Sequence, residues 1–235
     1  MNEADEASTL AYAQLAPDQI IAALEEYGHR CDGRFLALNS YENRVYQVGL
    51  EDTEPVVAKF YRPGRWSDAQ IVEEHQFAKE LADAEIPVVA PVEFDGETLL
   101  RSGSFRFAVY ARRGGRAPEL DDLELQKQIG RFIARIHLVG ETRDFKTRPA
   151  VDVDSYGTQS CEYLLDHEFI PIELEGVYES VADEVLEGID ESLSRAGNST
   201  LFRIHADFHP GNVLIAADQV HIVDLDDART GPAVQ

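Results

Sequence analysis

Paired glycines and a proline interrupt the chain near its middle, in the stretch "RRGGRAPEL" at residues 112–120. Before this stretch, short runs rich in β-branched residues alternate apolar and polar side chains, a pattern typical of antiparallel strands. After it, apolar residues recur mainly at helical spacing. Glycine and proline between two such patterns mark a hinge or linker. The sequence therefore predicts two lobes of different secondary structure, and the fold class is α+β.

The lobe boundaries follow from these patterns. We expect a mobile acidic N-terminus at residues 1–14, a β-rich lobe at 15–111, a linker at 112–118 and a helical lobe at 119–235. The β-rich lobe has strand patterns such as "RVYQVGL", "PVVAKFYRP", "PVVAPVEF" and "FRFAVYA". Its one long helix is predicted in "SDAQIVEEHQFAKELADAEI", with Ser67 as the N-cap.

Composition excludes several classes of function. The chain has 235 residues, 44% of them hydrophobic, which is enough for a sizeable core. A formal net charge of -23 makes nucleic-acid and anionic-membrane partners unfavourable. The two cysteines are far apart and fit no metal spacing, so we expect free thiols. Without a signal-peptide pattern or a membrane-spanning run, we expect a cytoplasmic protein.

Two motifs near the C-terminal end carry polar residues at the ends of apolar runs. "HADFHPGNVL" contains Asp207 and Asn212, and "HIVDLDDA" contains Asp224. Four residues separate Asp207 from Asn212, as in the catalytic loop of protein kinases. A carboxylate can orient an attacking hydroxyl and accept its proton, and carboxylate and amide oxygens suit Mg²⁺. We interpret Asp207 and Asp224 as catalytic, with Asn212 and Asp224 as Mg²⁺ ligands.

The same motifs allow other interpretations. Each polar residue taken singly is compatible with an ordinary loop position. His205 fits best as a hydrogen-bonding brace for the loop. A metal site made by His205 and His209 has a permissive spacing but no evident third ligand.

Lys59 interrupts an otherwise apolar strand in "VVAKFY". It could be a surface lysine with a buried stem, because an unpaired buried ammonium is costly. The alternative is a lysine that binds the α- and β-phosphates of ATP, since "VAK" matches the kinase strand pattern. A helix with Glu73 and Glu74 follows, which favours this second interpretation. We choose Glu74 as the ion-pair partner of Lys59.

The loop "LNSYENRVY" lies where a kinase would cover the phosphates, but it has no glycine. Ser40, Tyr41 and Asn43 would have to act through hydroxyl, amide and backbone groups, and an ordinary polar hairpin is the alternative. At the start of the linker, Tyr110 and Ala111 could offer backbone groups to adenine.

The motifs "NSYENRVYQ", "KFYRP" and "VDLDDARTGPAVQ" resemble those of the stress response kinase A family. These are bacterial serine/threonine kinases in the aminoglycoside phosphotransferase and choline kinase branch of the protein-kinase-like fold. The resemblance covers about 15–235. It implies a two-lobed kinase fold, Asp207 as the base, Ser40 in contact with ATP, and the Mg²⁺ ligands named above. The family continues through further helices, so the resemblance also implies a C-terminal truncation and an incomplete second lobe.

Three functions follow as hypotheses. The first is an ATP- and Mg²⁺-dependent serine/threonine protein kinase of a bacterial stress response, which we expect to be a monomer. The second keeps the chemistry but phosphorylates a small molecule such as an aminoglycoside, choline or homoserine. The third is a nucleotide-binding pseudoenzyme, but its expected loss of the lysine, the base or the metal-binding aspartate is not seen.

Overall fold

The computed structural model describes residue 12 and residues 15–197, 200–217 and 219–234. The expected mobile N-terminus, apart from Tyr12, lies outside the described residues. The chain divides into two compact units. The first comprises residues 1–132 and 208–226, and the second comprises 133–207 and 227–235.

A five-stranded antiparallel sheet forms the centre of the first unit, in the order β1-β2-β3-β5-β4. Its strands are β1 (Cys31–Leu38), β2 (Arg44–Leu50), β3 (Val56–Phe60), β4 (Leu100–Ser102) and β5 (Phe105–Ala111). Strands β3 and β5 pair in the register Lys59↔Ala108. Because side chains alternate between the faces of each strand, one face carries Val48, Phe60 and Phe107 into an apolar core. The antiparallel sheet confirms the α+β fold class.

Two helices of the first unit have local sequence signals at their N-termini. Helix α1 (Pro17–Glu25) has proline in its first turn, where the missing N–H costs nothing. Helix α2 (Asp68–Asp83) begins after Ser67, whose hydroxyl accepts the Gln70 N–H at 3.3 Å. The N-cap is the predicted one, and the apolar part of the buried face consists of Ile71, Phe77, Ala78 and Leu81.

The prediction of a strand in "PVVAPVEF", residues 87–94, is wrong. The structure has only isolated bridges there, from Val88 to Ile222, from Pro91 to Tyr110 and from Phe94 to Glu97. Pro87 and Pro91 have no N–H to donate, so a continuous ladder cannot form.

A hairpin from the C-terminal part of the chain belongs to the first unit. It consists of β7 (Val213–Ala216) and β8 (Gln219–Ile222). Arg116 and Ile215 exchange backbone hydrogen bonds of 3.1 and 2.8 Å, so the segment after β5 runs along this hairpin. Gly115 is needed there because an added Cβ would lie 2.9 Å from the Ile215 nitrogen.

The second unit is mainly helical. It holds the end of α3 (Leu123–Gly140), a π-helical segment (Asp154–Thr158), α4 (Gln159–Asp166), α5 (Glu175–Ala196) and a two-stranded sheet of β6 (Leu201–Ile204) with β9 (Arg229–Pro232). The Arg203 Nη2 donates to the Val139 carbonyl at 3.1 Å, which ties the end of α3 to β6. Apolar residues at a spacing of four are exposed along α5: Val177, Val181, Val185, Ile189 and Leu193.

Candidate active site

A cleft of about 270 Å³ lies in the first unit, between the sheet and the β7–β8 hairpin. Most of its lining is apolar, with a few polar groups. The lining residues are Leu38, Asn39, Ser40, Val45, Val57, Lys59, Val89, Tyr110, Ala111, Arg113, Gly211, Asn212, Leu214, Val223 and Asp224. Apolar walls with a few convergent polar groups are typical of cofactor sites.

Lys59 lies on the central strand β3 and is only 8% exposed. Its Nζ is 2.9 Å from Asp224 Oδ1 and 2.7 Å from Asp226 Oδ1. Val57, two positions earlier, faces the same cleft, as the alternation of a strand requires. Lys59 is therefore a buried, paired cation rather than a surface lysine.

The electrostatic balance at Lys59 keeps it charged. Burial alone would lower the pKa of the ammonium, because desolvation disfavours the charged form. The Asp224 and Asp226 carboxylates oppose this, Tyr110 and Glu74 add to them, and the pKa lies well above its usual value. Lys59 is thus a cation at neutral pH, the form that attracts phosphate oxygens.

Asp224 follows β8 and has a left-handed backbone, with φ 63, a conformation that aspartate tolerates better than most residues. The Val223 N–H donates to the Asn212 carbonyl at 3.0 Å, which continues the pairing of the hairpin. This backbone contact brings Asn212 and Asp224 to one wall of the cleft. The two expected metal ligands are therefore neighbours.

Asp226 was not among the residues chosen from the sequence. Besides Lys59, it contacts Asn43, whose Nδ2 donates to Asp226 Oδ2. The Asn43 Oδ1 accepts the Arg62 N–H at 3.0 Å. Both ends of the Asn43 amide are thus used, and they join the loop after β1 to Asp226 and to Arg62, which follows β3. The signal that could have found Asp226 is its position two residues after Asp224 in "DLD".

The other residues of the first unit that were predicted to bind the nucleotide are Ser40, Asn43, Glu74 and Tyr110. Ser40 and Tyr110 line the cleft, whereas Asn43 does not. Glu74 lies on the buried face of α2 and is 3% exposed. The ion pairs of Lys59 are with Asp224 and Asp226, so the predicted Lys59–Glu74 ion pair does not form. Glu74 still raises the Lys59 pKa through its charge.

Asp207 belongs to the second unit, where it follows the buried His205 at the end of β6. The residue between them, Ala206, has φ 62. Alanine rarely adopts this conformation, which costs about 1–2 kcal/mol. The turn directs the chain so that the Asp207 side chain is exposed.

The donor set of the cleft is suited to Mg²⁺. Among the described residues, no three or more His, Cys, Asp or Glu side chains are grouped to hold a metal ion, so the His205/His209 site gains no third ligand. Mg²⁺ in nucleotide sites needs only one or two protein oxygens, since phosphates and water supply the rest. Asn212 and Asp224 on one wall meet that requirement.

An antiparallel sheet with one long helix, joined to a helical unit, is the architecture of the protein-kinase-like phosphotransferases. The chain belongs to the phosphotransferase enzyme family, whose model matches residues 34–235. It is therefore an ATP-dependent phosphotransferase.

Two curated relatives are similar over most of the chain. Stress response kinase A of Escherichia coli (strain K12) is 42% identical over 228 residues. Serine/threonine protein kinase RdoA of Salmonella typhimurium (strain LT2) is 41% identical over 228 residues. Each match covers 97% of this chain and 69% of the relative. The resemblance inferred from the motifs is confirmed.

Solved structures share the fold at lower identity. Amicoumacin kinase hAmiN, in complex with AMP-PNP, Ca²⁺ and Ami, has a TM-score of 0.77 at 19% identity, covering 94% of this chain and 67% of that one. A microcompartment-associated aminopropanol kinase has a TM-score of 0.69 at 18% identity, covering 91% and 71%. Within the described residues, the helices are too short or too polar to cross a membrane.

Proposed function

We propose that this chain transfers the γ-phosphoryl group of ATP to a serine or threonine hydroxyl of a protein, with Mg²⁺ as the metal. The observation that carries the proposal is the buried Lys59 ammonium, held between Asp224 and Asp226 at a cleft that Asn212 also lines. A cation fixed beside metal-binding oxygens suits a bound triphosphate.

The roles of the residues follow from their chemistry. Lys59 binds phosphate oxygens, while the apolar lining receives the adenine and the Tyr110–Ala111 backbone meets its edge. Asn212 and Asp224 would hold Mg²⁺, which when bound neutralises charge on the phosphates. Asp207 accepts the proton of the attacking hydroxyl as the new O–P bond forms. The bond between the γ-phosphorus and the bridging oxygen then breaks, and ADP leaves with that oxygen.

The preference for a protein acceptor rests on similarity. The curated relatives named as stress response and serine/threonine kinases are 41–42% identical, whereas the small-molecule kinases are 18–19% identical. The net charge of -23 favours a second candidate, a cationic small-molecule acceptor.

Radiolabelled ATP distinguishes the two acceptors. The purified protein is incubated with Mg²⁺ and γ-labelled ATP, together with either protein acceptors or a panel of aminoglycosides, choline and homoserine. We expect label on protein, and acid hydrolysis should yield phosphoserine or phosphothreonine. Label on a member of the panel alone would instead establish the second candidate.

The Asp207→Ala variant tests the catalytic role. Loss of a general base should lower the rate by about 10²–10⁴-fold. Asp183→Ala on α5, also an exposed carboxylate, is the matched control and should retain the full rate. An Asp207→Ala protein that turns over ATP like this control would contradict the assignment.

A further inference from the structure

A chain of buried polar side chains runs from Lys59 to the buried face of α2. The Tyr110 ring lies 5.5 Å from Lys59 Nζ, and its hydroxyl is 3.1 Å from that of Tyr61. The Tyr61 hydroxyl is 2.7 Å from His75 Nε2. His75 Nδ1 is 2.8 Å from Thr98 Oγ1. The chain therefore links Lys59 to α2 and to the segment before β4.

Because these side chains are buried, losing one of their hydrogen bonds would cost free energy. Tyr61 is 4% exposed and His75 is 2% exposed. Burying a hydroxyl or an imidazole nitrogen without a partner costs about 1–3 kcal/mol, so each group in the chain depends on the next. Phenylalanine and leucine would fill the same volume without that dependence, and neither polar group has a role in the proposed reaction. Their place in a series of side chains that reaches Lys59 through Tyr110 requires another explanation.

Glu74 lies next to this series of hydrogen-bonded side chains. It precedes His75 on α2, and its Oε2 is 3.6 Å from His75 Nε2. Burial raises the pKa of Tyr61 well above its usual value, and the neighbouring acidic groups of Tyr110, Glu74 and Asp226 raise it further. The Tyr61 hydroxyl therefore keeps its proton at neutral pH and remains a hydrogen-bond donor. Such a donor can fix neighbouring oxygens in place.

The series of hydrogen-bonded side chains matters if Lys59 exchanges its ion-pair partners when ATP and metal bind. In this structure Lys59 pairs with Asp224 and Asp226. A metal on Asp224 would compete with the ammonium for the same carboxylate, and the remaining negative groups near Lys59 would then determine its position. Glu74 is one of those groups, and His75, which contacts Tyr61, lies 3.6 Å from its carboxylate.

We propose that Tyr61 and His75 are positioning residues that hold Glu74 and Tyr110 so that Lys59 meets the phosphates of ATP. This inference rests on the proposed use of ATP but not on the identity of the acceptor. Positioning matters because a displacement of about 1 Å at a reacting group can cost about 10²-fold in rate.

The test compares two buried tyrosines. Tyr61→Phe removes one hydroxyl from the chain, and Tyr46→Phe is the matched control, because Tyr46 is 7% exposed and stacks on Phe35 in the same sheet. Binding of a non-hydrolysable ATP analogue and of adenosine is measured by calorimetry, and kcat and the KM for ATP by turnover. Adenosine lacks the phosphates, so it is insensitive to the position of Lys59.

For Tyr61→Phe we expect about tenfold weaker binding of the ATP analogue, about tenfold lower kcat and unchanged adenosine affinity, in line with the loss of one buried hydrogen bond. Tyr46→Phe should change none of these. His75→Gln, which can still reach the Tyr61 hydroxyl, should retain more kcat than His75→Leu.

Other results would overturn the inference. The inference fails if Tyr61→Phe and Tyr46→Phe have the same kcat and the same affinity for the ATP analogue. It also fails if Tyr61→Phe weakens the binding of adenosine and of the ATP analogue equally. In either case the hydrogen-bonded side chains serve only the fold. If Tyr61→Phe does not fold, equal kcat for His75→Gln and His75→Leu decides against positioning in the same way. If wild-type protein binds adenosine and the ATP analogue equally, the proposed use of ATP fails and this inference with it. A wild-type enzyme that labels only small molecules leaves the inference standing.

Discussion

Replacing Lys59 with methionine should destabilise the first unit, because the ion pairs of Lys59 balance charge inside it. The side chain of Asp226 is 13% exposed, whereas that of Asp224 is 44% exposed. Removing one partner of a buried ion pair typically costs about 3–5 kcal/mol, since the other charge stays buried. The Asn43 amide continues to donate to Asp226, and water reaches Asp224. We therefore expect Lys59→Met to lower the free energy of unfolding by about 3 kcal/mol, the low end of that range.

Thermal unfolding followed by circular dichroism measures this loss. For a chain of this size, about 3 kcal/mol corresponds to a decrease in Tm of about 6–12 °C. Adding Asp226→Asn to Lys59→Met removes the stranded carboxylate and should recover half or more of the loss. The double variant should remain inactive, which separates stability from chemistry.

Lys79→Met is the control, because the Lys79–Asp83 pair is 60% and 66% exposed, and its Tm should hardly change. The reasoning is refuted if Lys59→Met melts with the wild type. It is equally refuted if Asp226→Asn lowers the Tm of Lys59→Met further, since Asp226 would then not be the stranded charge.

Three further predictions concern the metal, the backbone and pH. Asp224→Ala should lower turnover by about 10²–10⁴-fold and abolish its dependence on Mg²⁺; an unchanged Mg²⁺ titration would show that Asp224 is not a ligand. Ala206→Gly should raise the free energy of unfolding by about 0.5–1 kcal/mol in urea titrations, because glycine adopts φ 62 without strain but has more freedom when unfolded; a loss of stability would show no strain there. The Tyr61 pKa is raised, so above about pH 10 the unfolded chain loses that proton first and stability falls with pH. Tyr61→Phe should make this decrease shallower by about 1.4 kcal/mol per pH unit, and an unchanged slope would contradict the raised pKa.

Local patterns predict the elements of this fold well because each pattern has a local cause. The Ser67 cap and the apolar face of α2 are determined by residues three or four apart, and alternation identifies β3 and β5. The strand expected at "PVVAPVEF" fails for an equally local reason, since its prolines lack donors. The sequence therefore predicts the elements as far as propensity and hydrogen-bonding capacity decide them.

The site could be predicted only in part. Lys59, Asn212 and Asp224 stand out because each is a polar residue in or beside an apolar run. Asp226 and its contact with Asn43 join residues 183 positions apart, and Tyr61 and Tyr110 are 49 apart. No periodicity reports such contacts, because they are determined by how the sheet, α2 and the hairpin pack together.

Lys59 and Asp224 depend on each other through the backbone as well as through charge. Asp224 holds a left-handed conformation at φ 63, which costs about 1–3 kcal/mol and persists only where the surroundings enforce it. Those surroundings are the Val223–Asn212 hydrogen bond on one side and the Lys59 ammonium on the other. A lysine that binds phosphates and also holds the metal-binding aspartate explains why a cation lies on the most central strand of the sheet. Its removal should therefore weaken nucleotide binding and loosen the backbone at Asp224, and the combined loss of turnover in a Lys59→Met/Asp224→Ala cycle should be smaller than the sum of the single losses.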